Sequence, residues 1–115
     1  MTKKIVEQAP TDFFAAHQAE VSAHPDSAVA YVDKGWSHYS RGELGQATTA
    51  FEKAVSLDSQ SIDAQYGLGI VARAEGDKAR AQQAFERVLV LADSSTDVAK
   101  ATMMRRMAHA AAKGL

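Results

Sequence analysis

Cysteine is absent from the chain, which removes disulfide frameworks, thiolate metal sites and cysteine nucleophiles at once. Proline occurs only twice, at Pro10 and Pro25. Charge of one sign is lacking as well. Thirteen basic residues against fourteen acidic ones leave a formal net charge of −1, without the basic excess that anchors most nucleic-acid binders, so no nucleic acid is expected as a partner. No apolar run approaches the length that spans a bilayer, and no membrane partner is expected either. The opening residues Met1 to Glu7 are basic, but an acid and Pro10 arrive before an apolar stretch can build. A cytoplasmic address is the default expectation.

Alanine is abundant, filling 23 of the 115 positions. It has the best intrinsic helix propensity, and its small side chain lets helices approach closely. Hydrophobic residues at 46% and charged residues at 23% match an ordinary globular protein. A chain of this length folds as one domain, removing roughly two-thirds of its unfolded surface from water. An all-α fold is expected.

The chain also repeats. Shifted by 34 places, residues 27–60 lie over 61–94 without a gap. Ser27 falls on Ser61, Gly35 on Gly69, Gly42 on Gly76, Ala47 on Ala81, Ala50 on Ala84, Phe51 on Phe85 and Leu57 on Leu91. A third copy starts in phase at Ser95 and Asp97, which lie 34 beyond Ser61 and Asp63.

The repeated residues have mechanical readings. Ser27, Ser61 and Ser95 are suited to be N-caps, since each hydroxyl can accept from an orphan amide of the following helix. Gly42 and Gly76 close those helices, where the left-handed conformation is often needed. The acid that follows, Glu43 or Asp77, suits the positive end of a second helix. That second helix carries Ala47, Ala50, Phe51 and Ala54, then Ala81, Ala84, Phe85 and Val88, an i, i+3, i+4, i+7 stripe aimed at a core. Each repeat is a helix-turn-helix hairpin. A leading helix over about 11–23, with Phe13 and Phe14, ends before Pro25. A trailing helix, about 96–113, brings Val98, Met103, Met104 and Met107. These two should cover the open ends of the stack.

With Tyr31, Gly35, Gly42, Ala47, Phe51 and Ala54 in one copy and Leu68, Gly69, Gly76, Ala81 and Phe85 in the next, the chain resembles the tetratricopeptide repeat (TPR) family. It departs from the pattern at Lys34, Gln65 and Val88, and the usual closing proline is present only as Pro25. The resemblance implies a right-handed α-solenoid of about six helices, one domain over 1–115: leading helix 11–23, repeats 27–60 and 61–94, and trailing segment 95–113. Lys34 would have to snorkel, its stem packed and its ammonium in water.

A search for chemistry finds little. His17, His24, His38 and His109 fit no metal-ligand spacing. Gly67-Leu68-Gly69 follows no strand and is better explained by close helix packing at Gly69 than by phosphate binding. No serine sits in a nucleophile elbow. Arg105-Arg106 and Lys3-Lys4 read as solvated pairs. No enzymatic activity, cofactor or metal is expected.

In stacked hairpins, binding takes place on the concave surface lined by the first helix of each repeat. Offset by one residue from the face that meets the second helix lie Val32, Trp36 and Tyr39, then Tyr66, Ile70 and Arg73, then Lys100, Met104 and Met107. They form columns at 34-residue intervals. The family resemblance implies that these positions take an extended or helical peptide. Val32 and Trp36 stand where chaperone-tail binders of the family have lysine and asparagine, so such a tail is not the expected ligand. The expected function is a scaffold or adaptor that binds a protein partner by its apolar side chains, with Arg73 and Lys100 meeting an acidic group. The alternative is a self-assembling homo-oligomer joined through Met103, Met104 and Met107, or an accessory subunit of a larger complex. Trp36 and Ile70 can equally be read as core.

Overall fold

A computed structural model describes residues 26–115; the leading helix expected over 11–23 lies outside the described residues. Five helices follow one another: α1 (Ala28–Ser40), α2 (Leu44–Leu57), α3 (Ile62–Ala74), α4 (Lys78–Asp93) and α5 (Val98–Lys113). Among the described residues there is no strand. The architecture is the expected all-α solenoid of stacked hairpins.

Local chemistry sets the helix ends. Ser27 Oγ accepts from the Ala30 amide at 3.1 Å and Ser61 Oγ from that of Ala64 at 3.2 Å. Gly42 and Gly76 adopt φ of 77° and 80°, left-handed values that glycine takes without a Cβ clash. Asp77 then caps α4 through the Arg80 amide at 3.1 Å. Glu43 makes no cap bond at the start of α2. Its carboxylate turns back to His38 Nδ1 at 2.8 Å.

The third start differs from expectation. α3 begins 34 residues after α1, from 28 to 62, but α5 begins 36 after α3, from 62 to 98. The cause is α4, which has 16 residues where α2 has 14. The cap of α5 is therefore Asp97, whose carboxylate accepts from the Lys100 amide at 3.0 Å. Ser95 instead accepts from the Asp97 amide at 3.2 Å, within the turn.

Within each hairpin the two helices pack together, α1 on α2 and α3 on α4, while α1 also touches α3 and α3 touches α5. The first helices thus form one layer, and the second helices line it, α2 packed on α3 as well as on α1 and α4 on α5 as well as on α3. Phenylalanines join the layers. Phe51 is fully buried, and the edge of its ring (Cδ1, Cε1, Cζ) fits against Gly35 of α1 and Gly67 of α3. Phe85 fits against Gly69 in the same way. Burying each ring stabilises the fold by about 1.5–3 kcal/mol. The glycine pair of Gly67-Leu68-Gly69 thus serves two rings, one on each side of α3, where the sequence pattern pointed only to Gly69.

α5 completes the core of the second hairpin: Met104, Ala108 and Ala111 join Ile70, Phe85, Val88 and Leu91. The other apolar residues expected to cover that end do not do so. Val98, Met103 and Met107 face outward, because only one stripe of α5 meets α3 and α4. Lys34 is exposed, with Nζ 4.6 Å from the centre of the Tyr31 ring.

Candidate functional site

Because α1, α3 and α5 form one layer, the residues expected to bind a partner lie on helices that sit side by side. At the centre is an aromatic cluster. The Trp36 ring lies 5.8 Å from Tyr39, edge-on at 86°, and 6.3 Å from Tyr66. On its inner side it meets buried Phe51 at 5.0 Å, and Tyr66 meets Phe85 at 5.9 Å. Trp36, Tyr39 and Tyr66 are each half-buried. Each therefore has two roles, one part of the ring completing the core and the remainder open to solvent.

Ile70 and Met104 do not belong to the exposed set. Ile70 is 6% exposed and Met104 2%, both in the cluster around Phe85. The reason is position in the stack. α3 has a neighbour on each side and α5 leans onto both α3 and α4, so the middle column at these two levels is closed. At the level of α1 the same column holds Trp36 and stays partly open.

Val32 lies at the other end of this face, in a cleft of about 510 Å³ formed where α1, α3 and α5 begin. Val29, which is exposed, and Ile62 supply further apolar wall, and Asp33, Asp63 and Asp97 stand around it. Lys100 lines the cleft too, but its Nζ is 2.8 Å from Asp63 Oδ2. Its charge is answered inside the chain, and the cleft is acidic on balance. Val29 and the aspartates were not among the expected binding residues, although Asp63 and Asp97 lie one 34-residue step apart.

Arg73 is exposed near the opposite end, its Nη1 donating to the Ala111 carbonyl at 3.4 Å. That carbonyl belongs to the last turn of α5, the negative end of the helix dipole. Met107 is 37% exposed. Seven of the nine expected residues thus retain accessible surface: Val32, Trp36, Tyr39, Tyr66, Arg73, Lys100 and Met107.

Among the described residues the one perturbed acid lies away from this face. The hydrogen bond with His38 holds the Glu43 carboxyl below its ordinary range, and the charge of Arg41 adds to the effect. It serves the turn between α1 and α2. Among the described residues no group of three or more His, Asp or Glu could hold a metal ion, and no helix is long and apolar enough to cross a membrane.

Comparison with known proteins agrees with this geometry. The tetratricopeptide repeat profile matches residues 32–97, more than half of the chain. Cellulose synthase operon protein C of Komagataeibacter xylinus is 29% identical over 73 residues, covering 64% of this chain and 6% of that protein. The protein of the same name from Komagataeibacter sucrofermentans is also 29% identical, and cellulose synthase 1 operon protein C of Komagataeibacter xylinus is 27% identical, with the same coverage. The chain thus spans about 6% of the length of these curated relatives.

Proposed function

The chain belongs to the tetratricopeptide repeat family, whose members are non-catalytic interaction modules, and from that premise we propose that it holds a segment of a partner protein on the face shared by α1, α3 and α5. The observation that carries this reading is the half-buried cluster of Trp36, Tyr39 and Tyr66. Tryptophan, tyrosine and arginine dominate binding hot spots, because they bring large contact area and a polar tip at low cost in rotamer entropy. Anchored from behind by Phe51 and Phe85, these rings are already ordered before a ligand arrives.

The segment crosses the aromatic cluster with apolar side chains. Arg73 supplies the cation for an acidic group, while Lys100, tied to Asp63, contributes its stem. A contact of this size supports micromolar binding, on the order of −8 kcal/mol. The role is that of an adaptor or scaffold. A structural role, as a homo-oligomer or an accessory subunit, is the second reading, and the outward-facing Met103 and Met107 of α5 favour the accessory subunit.

Affinity capture with the full chain, compared with a Tyr39→Ala, Tyr66→Ala, Arg73→Ala triple variant, tests the proposal. Partners held by the wild type and by an outer-face control, Val90→Ser, but lost from the triple variant are expected. An identical set captured by the triple variant refutes it, provided the variant melts as a folded protein.

A further inference from the structure

α5 turns outward a face that the repeat does not anticipate. One 34-residue step carries Gly35 to Gly69 and on to Met103, and His38 to Ala72 and on to Arg106. In the two complete hairpins the glycine receives a phenylalanine ring from the partner helix. A Cβ on Gly35 would stand 2.6 Å from Phe51 Cε1, and one on Gly69 would stand 2.7 Å from Phe85 Cδ1. At the third position in the sequence stands Met103, whose side chain is 52% exposed.

What α5 presents instead is apolar surface with positive charge. From Val98 to Lys113 it contains no acidic residue. Two of its cations are answered by neighbouring helices, Lys100 by Asp63 at 2.8 Å and Arg105 by Asp93 at 2.9 Å. Arg106 and Lys113 pair with no carboxylate among the described residues. At 3.6 residues per turn, Ala99, Met103, Arg106, Ala110 and Lys113 fall within an arc of about 80°, opposite the buried stripe of Met104 and Ala108.

We propose that this outward face of α5 docks an acidic amphipathic helix of a partner protein. Carboxylates of the partner meet Arg106 and Lys113, and its aliphatic side chains cover Met103 and the flanking Met107. Methionine suits this role because its unbranched, polarizable side chain adapts to varied shapes. A second copy docked α5 to α5 is a poor occupant, because Arg106 and Lys113 would oppose their own kind.

The test is fluorescence anisotropy of the full chain with two labelled 18-residue amphipathic peptides, one built of leucine and glutamate and the other with lysine for glutamate. The glutamate peptide should bind at least tenfold more tightly than the lysine peptide and weaken in 0.5 M salt. Arg106→Glu with Lys113→Glu should reduce its affinity at least tenfold, whereas Tyr39→Ala with Tyr66→Ala should leave it unchanged. Both basic positions are exposed, and a thermal melt verifies folding. Equal binding of the two peptides, or no binding of the glutamate peptide at millimolar concentration, overturns the proposal. So does loss of binding only in the tyrosine variant, which would place the peptide on the inner face. Two further results overturn it: a dimer in sedimentation that Arg106→Glu abolishes, and binding to phosphatidylserine vesicles in place of the peptide.

Discussion

Gly67→Ala should destabilise the protein although it replaces glycine by the best helix former. In an open helix interior this change gains about 0.8–1.0 kcal/mol. Here the new Cβ would stand 2.5 Å from Phe51 Cζ, on the ring edge that Gly35 already confines from α1. Phe51 has no exposed surface, so its ring has no direct way out into solvent. Relief requires α2 or α3 to move, and overpacking of this kind costs about 1–3 kcal/mol. The expected net change runs from near zero to a loss of about 2 kcal/mol, a fall in melting temperature of up to roughly 12 °C for a domain of this size. Gly45→Ala is the control, since nothing lies within 4 Å of its Cβ position, and it should be neutral or stabilising by about 0.5 kcal/mol. Phe51→Leu in the Gly67→Ala background should recover part of the loss, a coupling of at least about 0.5 kcal/mol between the two sites. Urea unfolding of the wild type, Gly45→Ala, Gly67→Ala, Phe51→Leu and the double variant measures each of these terms. If Gly67→Ala stabilises as much as Gly45→Ala, the ring is not held in the angle between α1 and α3, and the packing argument fails.

Three other predictions rest on local chemistry. Ser61→Ala should cost about 1 kcal/mol through the lost cap of α3, while Ser95→Ala should stay within about 0.5 kcal/mol because Asp97 caps α5; chemical denaturation of both variants checks this. Glu43 should titrate below 4.5 by NMR, and His38→Ala should raise its midpoint toward that value. Because its folded-state pKa is depressed, its stabilising contribution is present above the unfolded value and is lost as pH falls through the folded one. Lys100→Met should change stability by less than about 1 kcal/mol, with the difference shrinking in 0.5 M salt, since the pair with Asp63 is solvent-accessible.

The hairpins were legible because their signals are local. Ser27, Ser61, Gly42 and Gly76 act within one turn of chain, and the stripe through Phe51 and Phe85 needs only helical spacing. The start of α5 was misplaced because two extra residues at the end of α4 shift the phase, and Asp97 competes for the cap that Ser95 would otherwise make. Separating groove from core was harder, since Trp36, Ile70 and Met104 occupy one column of the repeat yet differ in exposure. That difference follows from how many helices flank each position and how α5 leans, which depend on tertiary packing rather than on periodicity. The charge of the cleft at Val32 was hidden for a related reason. Lys100 is a free cation by sequence and a neutralised one once α5 lies beside Asp63.

The central claim, that the face of α1, α3 and α5 holds a partner, is tested most directly by site-specific photo-crosslinking. A photoreactive phenylalanine analogue is placed at Tyr39 or Tyr66 on that face, or at Val90 on the outer side of α4. Discrete crosslinked partner bands from Tyr39 and Tyr66, absent from Val90, are predicted. The same bands from Val90, with none from the two tyrosine positions, would contradict the account.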